Sequence, residues 1–189
     1  MPTWGWVVLV LAVVVVLGVL LLGRRRAARR AALRERFGPE YDRAVREGHD
    51  RRAVEQHLEQ VSQRRDELHI TELTTEAAAG YRGRWEATQA RFVDEPGQAV
   101  ADADRLVTEV LRARGYPLED FDDRAALVAT DHPDVVEHYR AAHDGYVRHL
   151  QAPTSDTEDL RQAFVHYRSL FHALVGPAGP VGPAAAVEE

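Results

Sequence analysis

The order of hydrophobic and polar positions divides the chain into three regimes. From Trp4 to Leu22 the run WGWVVLVLAVVVVLGVLLL carries no charged side chain. As a helix it covers about 28 Å, close to the roughly 30 Å of bilayer hydrocarbon, and predicts a single transmembrane anchor at residues 1–23. A cleaved signal peptide needs a basic start and a small-residue cleavage site. Here Met1-Pro2-Thr3 has no basic side chain, and the run ends on Gly23-Arg24-Arg25-Arg26. Residues 24–70 form the second regime, polar and rich in Arg, Glu and Gln. Arg24–Phe37 prolongs the first helix up to Gly38-Pro39, and Gly48 marks a second break. Val54, Leu58, Val61 and Leu68 fall near a 3-4 spacing, a narrow stripe suited to one partner helix or a short coiled coil.

The third regime, residues 71–175, has the wider stripes of a packed helical bundle. Tyr81, Trp85, Thr88 and Phe92 are spaced 4, 3 and 4, one face of a helix that Asp94-Glu95-Pro96 ends. Val100, Ala103, Val107 and Val110, widened by Leu106 and Leu111, make the next face. Gly115 closes it behind Arg112 and Arg114. Residues 118–130 read as a short helix or structured connector. Asp131-His132-Pro133 opens a helix bearing Val136, Tyr139, His143, Tyr146 and Leu150 on one side. Leu160, Phe164, Tyr167, Phe171 and Leu174 give the clearest amphipathic helix, capped by Ser155 with Glu158 or by Thr157 alone. No alternating β-branched run occurs, so the fold class is all-α: a transmembrane helix, a helical stalk and an antiparallel bundle of about four helices. Residues 176–189, GPAGPVGPAAAVEE, are a disordered tail, too short for a collagen triple helix.

Charge adds a direction. All 24 basic residues are Arg, and the chain has no Cys. Zero Cys excludes disulfides, thiolate metal sites and Cys nucleophiles; zero Lys excludes a P-loop lysine and Schiff-base chemistry. Arg24–Arg65 holds 13 Arg against 7 acids, whereas Asp66–Glu189 holds 11 Arg against 23 acids. Arg24, Arg25, Arg26, Arg29 and Arg30, followed by Arg34 and Arg36, flank the apolar run on one side only. The positive-inside rule then places the N-terminus outside a bacterial plasma membrane and the bundle in the cytoplasm. Trp4 and Trp6 take the outer interface, and the arginines of Arg24–Arg36 face anionic lipid of the inner leaflet. Gly18 and Gly23, five apart, make no GxxxG face. The acidic bundle lacks a basic stripe with interleaved aromatics, which argues against nucleic acid.

The nine histidines raise a metal question. His132, His138, His143 and His149 are separated by 6, 5 and 6, and His166 and His172 by 6, so no pair has the three- or four-residue spacing of a one-helix site. A site assembled between helices, as from His138 with His166, stays open. Glu119–Asp123 lacks the ligand order of a calcium loop. The sequence has no GxSxG, GxGxxG or Walker motif and implies no cofactor. Asp102–Arg105, Arg105–Glu109, Arg140–Asp144 and Asp144–Arg148 suit surface ion pairs along a helix.

Three stretches, RWEATQARFVDEPGQAVADADRLVTEVLRARGYP (Arg84–Pro117), DHPDVVEHYRAAH (Asp131–His143) and TEDLRQAFVHYRSLF (Thr157–Phe171), resemble an uncharacterised bacterial family of small helical proteins with an N-terminal hydrophobic segment. The resemblance covers about residues 80–175 and implies no activity, substrate or catalytic residue. The expectation is a non-enzymatic, membrane-tethered interaction module that docks a protein partner through its bundle or stalk, with self-association through residues 40–68 as a further reading. Trp85, His132, His138, Tyr139, His143, His166 and Tyr167 are the candidate binding groove. The rival is an enzyme or a ligand or metal sensor, built on His138, His143, His166 and nearby acids between helices.

Overall fold

A computed structural model describes residues 4–48, 50–118, 120–152 and 156–176. Among these the chain is helical throughout, with no strand. The elements are α1 (Trp4–Phe37), α2 (Pro39–Glu47), α3 (Arg51–Glu67), α4 (Thr75–Arg91), α5 (Pro96–Arg114), α6 (Phe121–Asp131), α7 (Val136–Gln151) and α8 (Thr157–Val175). The tail at 177–189 and the capping candidate Ser155 lie outside the described residues.

Local chemistry sets most boundaries. Gly38 and the N1 proline Pro39 separate α1 from α2, and Gly48 ends α2. Asp50, Thr74, Asp120 and Asp156 each accept a hydrogen bond from the first turn of α3, α4, α6 and α8, covering amide groups that have no partner within the helix. The cap of α8 is therefore Asp156 rather than Thr157. Its carboxylate also sits at the positive end of the helix dipole. Gly115 ends α5 in the left-handed region at φ 99°, and a Cβ there would stand 2.6 Å from the His69 carbonyl oxygen. Conformation and space both require glycine at that position. The short helix or connector expected at 118–130 is the helix α6, Phe121–Asp131, so among the described residues of 71–175 there are five helices where about four were expected. The helix expected to open at Asp131-His132-Pro133 begins only at Val136, after His132 has capped α6.

The periodic stripes become the core. On α8, Leu160, Ala163, Phe164, Tyr167, Leu170, Phe171, Leu174 and Val175 are buried. Most of this face lies against α7 and α5, the two most extensive interhelical contacts. Gly145 on α7 lets α8 approach so closely that an added Cβ would lie 2.8 Å from Cβ of Ala163. Trp85 of α4 stacks on Phe164 and Phe171, with ring centroids 5.0 and 4.7 Å apart. Such offset aromatic pairs contribute about 0.5–1.5 kcal/mol beyond the area they bury. The same core takes in Leu33 and Phe37 of α1, Tyr41 of α2, and Leu58 and Val61 of α3. The stalk stripe thus finds its partner helix within the chain, and α3 packs on α6.

The expected transmembrane helix requires correction. Among the described residues no helix is long and apolar enough to cross a membrane. The run Trp4–Leu22 lies wholly within α1. It is also not a separate segment. α1 runs on through the arginines without a break, and its far end is locked into the bundle by Leu33 and Phe37. Membrane, transmembrane and single-pass character are thus unsupported as structural statements. What the structure does show is an apolar arm whose large side chains from Leu9 to Leu22 are exposed.

Candidate functional site

Four polar constellations sit on this scaffold, and the seven groove residues expected from sequence are divided among them and the core. The first lies where α2 meets α6 and α7. Glu40 is 3% exposed and receives two guanidinium groups: Arg43 donates at 2.6 and 3.1 Å, and Arg140 at 2.7 and 2.9 Å. Arg140 also donates to Asp122 at 2.5 Å, and Arg43 to Glu47. Burial pushes the Glu40 carboxyl up, but the hydrogen bonds and charges of Arg43 and Arg140 outweigh it and hold the group below the ordinary carboxylate value. The arginines of this cluster border a cavity of about 600 Å³ lined also by Phe121, His143, Asp144, Val147 and Arg148. His143 stacks on Phe121 at 3.7 Å between ring centroids, and its Nδ1 is buried without a hydrogen-bond partner. Burial lowers the His143 pKa, so the ring is neutral near pH 7. Carboxylates offset the guanidinium charge here, so the cavity offers no net pull on an anion.

The second constellation is aromatic. Arg124 donates to the Tyr139 hydroxyl at 2.7 Å, and the Tyr167 hydroxyl donates to Asp104 at 2.7 Å. Burial pushes Tyr139 up to about 12 and raises Tyr167 as well, so both phenols keep their protons. These two residues and Trp85 are 3% exposed or less and build the core rather than line a groove. The Trp85 indole nitrogen is buried with no partner.

The third is at the C-terminal end of α5. Arg114 donates to the Leu174 carbonyl at 3.1 Å and faces His132 Nε2 at 3.2 Å. Burial, followed by the Arg114 charge, lowers the His132 pKa, so Nε2 accepts. The fourth joins α7 to α8: His138 Nδ1 and His166 Nδ1 are 2.8 Å apart, the rings tilted by 30°. Burial and the neighbouring His138 lower the His166 pKa. Of the histidines named for an interhelical site, the structure brings together His138 and His166 and places His143 elsewhere, against Phe121. Among the described residues no group of three or more His, Cys, Asp or Glu is placed to hold a metal ion.

At the other end of the molecule, Trp4 and Trp6 are 69% and 70% exposed, and Arg24, Arg25, Arg29 and Arg30 are exposed on α1. The side chain of Arg26 lies outside the described ones. Arg30 pairs with Glu55 at 3.0 Å and Arg29 approaches Glu59 at 3.9 Å, two contacts that tie α1 to α3. Sequence spacing located these arginines but missed the cluster around Glu40. Glu40 and Arg140 are 100 residues apart, and only the folded chain joins them. Comparison with protein-family models, with curated proteins and with solved structures finds no match to this chain.

Proposed function

We propose that the protein is a helical interaction module that works at an anionic lipid surface, with its acidic bundle presented to a protein partner. The carrying observation is the separation of surfaces along α1. Exposed Val and Leu side chains from Leu9 to Leu22 give way within two residues to exposed arginines, and then to buried Leu33 and Phe37. An apolar arm with a cationic collar suits the boundary between acyl chains and headgroups, where apolar area and electrostatic attraction add. The acidic residues beyond Asp66 favour the opposite orientation, away from the same headgroups.

Flotation with vesicles tests this. The full chain should float with phosphatidylcholine vesicles containing phosphatidylglycerol and far less with phosphatidylcholine alone. Each arginine near the surface is worth about 1 kcal/mol, roughly fivefold in partitioning. R24E, R25E, R29E and R30E together should therefore bring anionic vesicles close to the neutral level. Equal flotation with both lipids, unchanged by these reversals, would refute the collar's role.

A further inference from the structure

We propose that the cleft between α1 and α3, beside the apolar arm, seats the phosphomonoester headgroup of an anionic phospholipid, with Arg29, Arg30 and Arg52 around the phosphate. The inference rests on the lipid-surface reading and sharpens it from a diffuse attraction to one discrete site.

Unspent guanidinium groups are the first support. The cleft holds a cavity of about 290 Å³ bordered by Arg29, Arg30, Leu33, Arg52, Glu55 and Glu59. Glu55 is already engaged, accepting from Arg30 Nε at 3.0 Å and from the Tyr41 hydroxyl at 3.2 Å. Arg30 gives only Nε to that bond and keeps its two terminal nitrogens. Arg29 stands 3.9 Å from Glu59, too far for a hydrogen bond, and Arg52 has no ion-pair partner among the described residues. The cavity between α2, α6 and α7 differs, because there Arg43 and Arg140 are both held by Glu40.

The arginines also suit one kind of phosphate. A phosphomonoester presents three terminal oxygens and about −1.5 to −2 charge near pH 7. The diester of phosphatidylglycerol offers two free oxygens and one charge. Fork-shaped guanidinium donors bind such oxygens through paired, charge-assisted hydrogen bonds, and three of them from two helices match the monoester better. Both walls are fixed in register, since Leu33 of α1 and Leu58 of α3 are buried in the common core.

Continuity with the arm favours a lipid over a free ion. A second, shallow cavity on α1 is lined by Leu22, Arg25, Ala28 and Arg29, so the two meet at Arg29. Leu22 lies seven residues from Arg29, about 10 Å along the helix, at the edge of the exposed Val and Leu side chains. A phosphate held between α1 and α3 thus leads its acyl chains along Ala28 and Leu22 onto the arm. Inorganic phosphate would use the arginines and leave those apolar contacts empty.

The test is flotation of the full chain with phosphatidylcholine vesicles of equal zeta potential, carrying either phosphatidic acid or phosphatidylglycerol. Phosphatidic acid should bind roughly tenfold more strongly, the worth of one further charge-assisted hydrogen bond. Arg52→Gln changes an exposed side chain that has no ion pair, so the fold is kept, and it should bring the two lipids level. Arg24→Gln should weaken both about fivefold and preserve the preference. In neutral detergent, short-chain phosphatidic acid should bind the full chain about tenfold more tightly than inorganic phosphate, the gain from burying two methylene groups. Equal binding of the two lipids, a preference that survives Arg52→Gln, or inorganic phosphate binding as tightly as the short-chain lipid would each overturn the proposal. Equal binding that still exceeds pure phosphatidylcholine leaves the lipid-surface reading standing, whereas loss of binding to both anionic lipids refutes that reading and the site together.

Discussion

The apolar arm of α1 and helix α8 are both dense in large hydrophobic side chains, yet they end in opposite surroundings. On α8 the apolar residues recur every three or four positions, and Glu158, Asp159, Arg161, Gln162 and Arg168 occupy the other side. The helix has one face to bury, and α5 and α7 bury it. Between Trp4 and Leu22 there is no polar side at all. Neighbours within the chain can cover only one face of a helix that is apolar all round, and in this fold they leave its described large side chains exposed. Its described Val and Leu side chains from Leu9 to Leu22 are 49–64% exposed. Hydrophobicity in one stripe specifies an internal partner; hydrophobicity all round specifies an environment outside the chain.

The sharpest way to break this comparison is to truncate one side chain in each region. Phe171 is fully buried and stacks on Trp85, so Phe171→Ala should cost about 3–5 kcal/mol. That is a large share of the roughly 5–15 kcal/mol that holds a domain of this kind folded. Leu17, 53% exposed, loses nothing on folding, and Leu17→Ala should leave bundle stability unchanged. Urea unfolding followed by circular dichroism in neutral detergent separates the two. A substantial loss from Leu17→Ala would mean that the arm folds against the bundle.

Next in size is the polar counterpart. Glu40 sits at the joint between the arm-bearing helices and the bundle, held by Arg43 and Arg140. Glu40→Gln keeps the shape but leaves two guanidinium groups facing each other. Breaking a fully buried pair costs roughly 3–5 kcal/mol. Here Arg140 keeps Asp122 and Arg43 keeps Glu47, so about 2 kcal/mol is expected. The same urea curves measure it. Hydrogen exchange should show the loss concentrated in α2 and the start of α7, and uniform loosening of α4 and α5 would contradict a local joint.

These two regions also show what can be read without coordinates. The buried stripe of α8, the breaks at Gly38 and Gly48 and the C-terminal glycine of α5 follow from spacing and backbone chemistry, which are local. The joint at Glu40, the Tyr167–Asp104 bond and the contact of His138 with His166 depend on which helices become neighbours, and no local pattern encodes that. Spacing leaves a pairing of His138 with His166 open, and their 2.8 Å contact depends on the register of α7 on α8. The pair Asp102–Arg105 was legible as neighbours on one helix and forms at 2.8 Å, whereas Glu109 takes Arg84 across from α4. Local charge spacing failed there because a cation on another helix was closer. The arm misled for a related reason. The continuation of the helix through the arginines to Phe37 follows from the sequence, whereas the seating of Leu33 and Phe37 in the core depends on which helices become neighbours.

Titration distinguishes the regions most gently. His132, His143 and His166 have pKa values lowered chiefly by burial, so the unfolded chain binds their protons first as pH falls. Stability is flat above the unfolded value near 6.5 and declines below it, down to the lowered folded values. A second decline follows in more acidic solution. Glu40, Asp122 and Glu109 are lowered by their arginine partners, and Asp102 by the Gln98 hydrogen bond followed by Arg91 and Arg105; their contribution is lost as pH falls from the ordinary carboxylate values through the folded ones. The arm has no titratable side chain from Trp4 to Gly23, and arginines stay charged throughout this range. Flotation with anionic vesicles should therefore hold between about pH 8 and pH 5 while the urea midpoint of the bundle falls. If flotation and midpoint declined together, lipid engagement would depend on the folded bundle, and the division of labour between the two regions would fail.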